Sequence, residues 1–342
     1  MVTTGSRADF GVILNQDLPE QDIPELLRQS TFLSAKENTA FVRLFESKEI
    51  LIDFLNAVLR RSGEDVITEV EHMNRDLAVI YPSDDIVSVD VHAKTKKGEY
   101  INVEMQKFGH THFKDRVVLY GAVMAAEAHR EEFLSLQKRR RELSLAERYR
   151  MPKIYSIWIC ENASDGNKDY RDTWAIYRKS DLGNKDALPV SDVLNYIFIK
   201  LPKLEGAKDV PEREREWMDF INNCGSRDEI PSTATGAIRD AYERLRIRRT
   251  PREILERQAT SMYTQYDIDC CIDDAVNEGL EKGLAEGLEQ GMQQGLQQGL
   301  QQGMQQGLEK GHADVFQVMR SLGIPEEKIE EAERLLKKTE EN

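Results

Sequence analysis

No apolar run in this chain of 342 residues approaches the roughly 18 that would carry a helix across a bilayer. Met1 to Phe10 lacks the charged-then-hydrophobic order of a secretory leader, so the expected address is the cytoplasm, with no membrane partner. Cysteine is scarce: Cys160, Cys224, Cys270 and Cys271 contain no Cys-x-x-Cys, which argues against a zinc half-site or a disulfide framework and for reduced packing thiols. Positive charge is in deficit, with 47 Lys and Arg against 61 Asp and Glu, so overall charge would not hold the protein on nucleic acid. Apolar residues are not lacking, and at 40% hydrophobic content the chain can bury a sizeable core across about two domains. Of 21 glycines, nine recur at a spacing of four between Gly279 and Gly311.

Residues 1–30, interrupted by Pro19 and Pro24, read as an arm over the surface. Between Asn38 and Arg61, Phe41, Leu44, Phe45, Ile52, Leu55, Val58 and Leu59 recur at three and four, predicting one helix with a buried face. Ile86 to His92 and Ile101 to Gln106 alternate instead, separated by the turn-prone Thr95-Lys96-Lys97-Gly98, which predicts a β-hairpin. One face should carry Val87, Val89, Val91, Ile101, Val103 and Met105, and the other Ser88, Asp90, His92, Asn102, Glu104 and Gln106. A loop and a helix continue to Arg141, then three short strand-like runs at 154–160, 173–177 and 195–199. This order predicts an α/β core with a central mixed sheet over residues 31–205, then a charged helical region over 206–265.

On the polar hairpin face, Asp90 and Glu104 are hard oxygen ligands of the kind Mg²⁺ takes while keeping several waters, and Gln106 points the same way. Spacing alone favours the plainer alternative, a solvated acidic hairpin. The residues Asp90-x13-Glu104-Met105-Gln106 nevertheless resemble the D…(D/E)-x-K core of PD-(D/E)XK nucleases, with glutamine in the lysine position. Phe41-Val-Arg-Leu-Phe45, Phe54-Leu-Asn-Ala-Val-Leu59, Val89-Asp90-Val91, Phe113-x2-Arg116-x3-Tyr120 and Phe198-Ile-Lys-Leu-Pro202-Lys203 narrow the resemblance. Together they are similar to the recombination-promoting nuclease (Rpn) and transposase family over about residues 31 to 205, and the glycine-rich tail is similar to tails common there.

The resemblance implies a restriction-endonuclease-like fold and a metal-dependent DNA endonuclease that promotes recombination. It implies that Asp90 and Glu104 hold Mg²⁺, with Mn²⁺ or Ca²⁺ as alternatives, and that Gln106 orients water or a phosphate oxygen. Glutamine cannot supply the charge of the superfamily's lysine, so Lys107 and Arg116 are the nearest candidates for it. The chain departs from the family in its first helix, where Asn38 stands in place of an acid and Val42 in place of a lysine; Glu37 could stand in by a one-residue shift. That departure leaves a second reading, a DNA-binding or assembly protein that keeps the nuclease fold without efficient chemistry.

Arg116 and Tyr120 share a helix face, suited to phosphate contact or to packing over the sheet. His110 and His112 lack a third ligand and read as exposed polar residues, and His92 is a weaker candidate beside Asp90. Positive charge is concentrated locally. Arg130 to Arg150 holds seven Lys and Arg against four Glu, and Arg239 to Glu253 six Arg against three acids, so either stripe could follow a phosphate backbone.

In the repeat at 266–312, the first eight spaced glycines are each followed by Leu or Met. As a helix it bears about 0.8 to 1 kcal/mol per glycine relative to alanine, so it needs a partner. A period of four drifts about 40° per repeat around a helix of 3.6 residues per turn, so a partner following it winds right-handedly. Self-association into a homo-oligomer and a semi-flexible spacer are both open readings. Residues 313–342 regain an ordinary amphipathic pattern, interrupted at Gly323-Ile-Pro325, and predict two short closing helices.

Overall fold

The computed structural model describes residues 11–77, 87–107, 112–138, 143–162, 168–181, 183–184, 186–260 and 265–340. In chain order its elements are α1 (Asn38–Phe45), α2 (Lys48–Val58), β1 (Val70–His72), β2 (Asp76–Leu77), β3 (Val87–Ser88), β4 (Val91–Thr95), β5 (Tyr100–Gln106) and α3 (Phe113–Gln137). The chain continues through α4 (Leu145–Arg148), β6 (Ile154–Cys160), β7 (Arg171–Ile176), β8 (Ser191–Lys200), α5 (Glu212–Asn223), α6 (Gly236–Leu245), α7 (Arg252–Thr260), α8 (Gln265–Ser321) and α9 (Glu326–Glu340). Two compact units result, residues 1–271 and 272–342.

The first unit is α/β, as the sequence predicts. Its main sheet runs β1-β4-β5-β6-β8-β7; β5, β6 and β8 are parallel, and the flanking pairs are antiparallel. The helix expected from Asn38 to Arg61 is two helices. Ser47 breaks it by capping α2, its hydroxyl accepting from Ile50 N at 3.3 Å. Of the predicted face, Phe41, Leu44, Phe45, Leu55 and Val58 are buried with Val91, Ile101 and Val103 on one side of the sheet, while Ile52 and Leu59 are only partly buried and Leu51 and Phe54 join the face instead.

The other side lies under α3, where Val117, Tyr120 and Met124 meet Tyr100, Trp158 and Phe198. Gly121 permits this approach, because a Cβ there would lie 2.2 Å from the Tyr196 hydroxyl and 2.8 Å from two of its ring carbons. In an open helix Gly→Ala gains up to about 1 kcal/mol. Overpacking costs about 1–3 kcal/mol, so Gly121→Ala is expected to lower the denaturant midpoint on balance. A raised midpoint would show that the α3 contact is slack.

The predicted hairpin is present, with Val91 opposite Val103 and Lys94 opposite Tyr100. The predicted face assignment needs correction at its first strand. Val87–Ser88 pairs with Asp76–Leu77 in a separate two-stranded sheet, and the chain bends at Asp90 before β4 begins. Val89 therefore joins Leu77 and Val117 on the α3 side, while Val91 faces α1 and α2.

The charged segment after residue 205 packs into the same core. Trp217, Phe220, Ile238, Tyr242 and Leu245 belong to the apolar cluster of Phe45 and Phe54. Buried Glu214 of α5 takes Arg60 at 2.7 Å and both Arg171 and Tyr170 at 3.2 Å, tying that helix to α2 and β7. The arm follows the turn at Ile247–Arg249 through Leu14 N to Arg249 O (3.0 Å) and Leu18 N to Arg248 O (2.7 Å), and Ile23 is buried. Cys160 and Cys224 are buried free thiols. Among the described residues no helix is long and apolar enough to cross a membrane.

In the second unit α8 continues without a break at residue 312, up to a turn at Gly323 with φ +76°. Phe316 and Ile329 are buried, and Arg320 ion-pairs with Glu326 at 3.0 Å. The glycine repeat is exposed throughout: Leu284 is 76% exposed, and nothing lies near where a Cβ would stand on any of the nine glycines.

Candidate active site

Asp90 and Glu104 come together through the bend that removes Asp90 from strand pairing. Outside the strand ladder, the Asp90 N–H donates to Glu104 Oε1 at 3.2 Å, and Asp90 Oδ2 accepts from Met105 N at 2.9 Å. The backbone on each side thus helps to hold the other carboxylate. Asn38, the first residue of α1, donates its amide to Asp90 Oδ1 at 3.0 Å. Asn38 therefore supports Asp90, whereas Glu37 turns to Lys107, with Nζ to Oε1 2.5 Å.

Glu104 is 2% exposed and also accepts from the Asn102 amide at 3.4 Å. Arg116 reaches over from α3. Its Nη1 donates to Gln106 Oε1 at 3.2 Å, and its Nη2 lies 3.8 Å from Glu104 Oε2. Its guanidinium rests 4.9 Å from the Tyr120 ring centroid and 5.7 Å from that of Trp158. Of the two alternatives for the Arg116–Tyr120 pair, packing over the sheet is realised, and that packing is what points the cation at the carboxylate. Trp158 escapes the sequence reading because parallel pairing puts it opposite Glu104 from a strand far along the chain. The same pairing brings Glu161 beside the site, its N–H donating to Gln106 O at 2.9 Å and its carboxylate pairing with Lys36 at 2.6 Å.

His92 and His112 are engaged with other partners. His92 is buried and its Nδ1 lies 2.7 Å from Asn74 O, a carbonyl to which it donates; burial lowers its pKa. His112 is the residue before α3 and lies 3.8 Å from Asp115. His110 and Arg139–Arg141 lie outside the described residues.

Burial, and next the charge of Asp90, hold the Glu104 pKa above its ordinary 4.5, with Arg116 acting in the opposite sense. A folded value above the unfolded one means that the fold favours the protonated form. That stabilisation is whole below 4.5 and is lost as pH rises through the raised value. Metal-free protein is therefore expected to melt at a lower temperature at about pH 8 than at about pH 5, and Glu104→Gln to flatten part of that slope. Equal slopes in a melting series would place the titration elsewhere.

Two adjoining carboxylates, one buried and destabilised when charged, suit a hard divalent cation that keeps water ligands. No cluster of three His, Cys, Asp or Glu suited to a metal occurs among the described residues, so water or phosphate oxygens would have to complete the coordination.

The profile of the family described as PD-(D/E)XK nuclease family transposase matches residues 36–275. The chain belongs to this family. The match takes in the acidic pair, Gln106, Arg116 and the helices α5 to α7 that share the core. No curated protein and no solved structure matches the chain. Membership supports a nuclease-like function for this α/β core, in a family whose nucleases typically use divalent metals.

Proposed function

We propose that the protein is a Mg²⁺-dependent DNA endonuclease that hydrolyses phosphodiester bonds and acts in recombination or transposition-like processes in the cytoplasm. The observation that carries this reading is the interlocked pair Asp90–Glu104, with the Arg116 cation held against it. An ion held there would supply Lewis acidity toward the phosphate. Asp90 and Glu104 hold it, and the Met105 N–H and Asn38 amide fix the Asp90 carboxylate in place. Gln106, which accepts from Arg116, is the residue that orients water or a phosphate oxygen in this reading. Arg116 supplies the charge that glutamine lacks, whereas the Lys107 charge is offset by Glu37. Cleavage of supercoiled DNA with Mg²⁺ by wild type and by Glu104→Gln tests the reading. Mn²⁺ and Ca²⁺ serve as alternative ions.

Asn38 motivates the second reading, a DNA-binding or assembly protein of weak or absent catalysis. Its amide gives Asp90 a hydrogen bond where the family places a further charge. DNA binding with no metal-dependent turnover in wild type would favour it.

The exposed Leu and Met stripe of α8 supports self-association as part of either reading. Replacing Leu284, Leu288, Leu296 and Leu300 by Gln is expected to reduce the sedimenting mass to that of one chain. An unchanged mass would make the repeat a spacer.

A further inference from the structure

The basic run from Arg239 to Glu253 is covered by the acidic N-terminal arm. Arg249 Nε lies 3.5 Å from Asp17 Oδ1, Arg248 Nη2 3.9 Å from Glu20 Oε2, and Arg252, whose Nε pairs with Glu256 of its own helix at 2.8 Å, places its Nη1 3.5 Å from Asp22 Oδ1. Two of the run's other arginines are engaged inside the fold. Arg244 is buried and exchanges Nε-to-carbonyl hydrogen bonds with Arg43, and Arg246 pairs with Glu243 at 3.0 Å. The run holds six Arg against three acids, and the arm's three acids bring the two signs level.

This covering is built to be exchangeable. The arm's position is set by the backbone bonds of Leu14 and Leu18 and by buried Ile23, none of which uses the acids. The acids face the arginines, and exposed pairs at these distances contribute little to stability. Three carboxylates over three guanidiniums stand where successive phosphates of a polyanion would stand. Duplex DNA offers one phosphate per about 3.4 Å of helix axis on each strand, and their neutralisation is driven by counterion release.

The surface is also near enough to the carboxylate pair to share one duplex. Phe32 bridges Arg246, and Ile247 N donates to Thr31 O at 3.0 Å, so the chain passes directly from this surface to Asn38. The six steps from Phe32 to Asn38 span at most about 20 Å even if fully extended, a reach of about six phosphate steps.

We propose that Arg248, Arg249 and Arg252 form a contact surface for the DNA backbone beside the cleavage site, and that Asp17, Glu20 and Asp22 occupy it in the free protein. The proposal rests on the nuclease reading for the identity of the polyanion. DNA displaces the acids and takes their partners, while the arm's backbone remains attached at its ends.

The test is DNA binding by the full-length protein in EDTA at two salt concentrations, comparing wild type with the triple variant Asp17→Asn, Glu20→Gln, Asp22→Asn. These isosteres leave the backbone anchors in place. The triple variant is expected to bind about tenfold more tightly at low salt, with the slope of log affinity against log salt steeper by about 0.9 for each arginine released. Adding Arg248→Gln, Arg249→Gln and Arg252→Gln should return both quantities to or below the wild-type values. Unchanged affinity and slope on neutralising the arm, or tightening that survives loss of the arginines, overturns the proposal. Binding is read without metal, so a chain that proves unable to cut leaves this result interpretable. A chain that cuts through Glu104 but ignores the arm sinks the surface alone, and absence of DNA binding in every variant overturns both.

Discussion

Glu104→Gln is expected to lower Mg²⁺-dependent DNA cleavage by at least about a thousandfold, since a bound metal contributes several kcal/mol at the reacting phosphate and each tenfold in rate is about 1.4 kcal/mol. The amide keeps the shape of a side chain that is 2% exposed, and it removes a charge disfavoured by burial and by Asp90, so the variant should fold at least as well as wild type. That separates lost chemistry from lost structure. Asp90→Ala is a poorer test, because it strips Met105 N of its acceptor and Asn38 of its partner. An unpaired buried N–H costs about 1–3 kcal/mol, so Asp90→Asn is the better companion, expected to be as inactive as Glu104→Gln. Melting temperature and Mg²⁺ binding by calorimetry should accompany the assay, with metal affinity falling in both variants. Wild type that cuts while both variants cut equally well would remove these residues from the site.

The candidate site is largely legible in the sequence because it lies on two short segments with local patterns. Glu104 and Gln106 alternate with Val103 and Met105 on a strand buried almost throughout, and period-two alternation puts them on one face. Asp90 is reached for a partly mistaken reason. The alternation from Val87 to Val91 looks like one strand, yet the bend at Asp90 puts Val89 and Val91 on opposite sides of the sheet. Nothing in that pentapeptide marks the bend; it arises because Ser88 pairs with Asp76. The bend gives Asp90 its place, since a backbone N–H turned out of the strand ladder is what reaches Glu104. Arg116 is visible as a cation at helical spacing from Tyr120, but choosing it over Lys107 requires Trp158 beneath it and Glu37 beside Lys107.

Trp217→Ala, in the stretch that the sequence sets apart from the α/β core, is expected to destabilise the whole first unit by about 3–5 kcal/mol, a large part of the roughly 5–15 kcal/mol that holds a domain folded. Trp217 is fully buried, its ring centroid 5.6 Å from that of Phe54 and 5.7 Å from that of Phe220, and its Nε1 donates to Asp53 Oδ1 at 2.8 Å. The sequence reading ends the core near residue 205 because Glu, Arg and Asp dominate the residues beyond it. Charge on one face of a helix says nothing about the other, and Glu214, Trp217, Met218 and Ile221 recur at three and four as the buried stripe of α5. The consequence reaches the site. The same cluster contains Phe41, Phe45 and Phe54 of α1 and α2, and α1 begins with the Asn38 that braces Asp90. Loss of packing at Trp217 should therefore remove the helical face and the carboxylate geometry in one transition, with cleavage and tertiary signal falling together in denaturant. A variant that loses α5 in an early, separate transition while the sheet and its DNA cleavage persist would show that the helices after residue 205 form an independent layer.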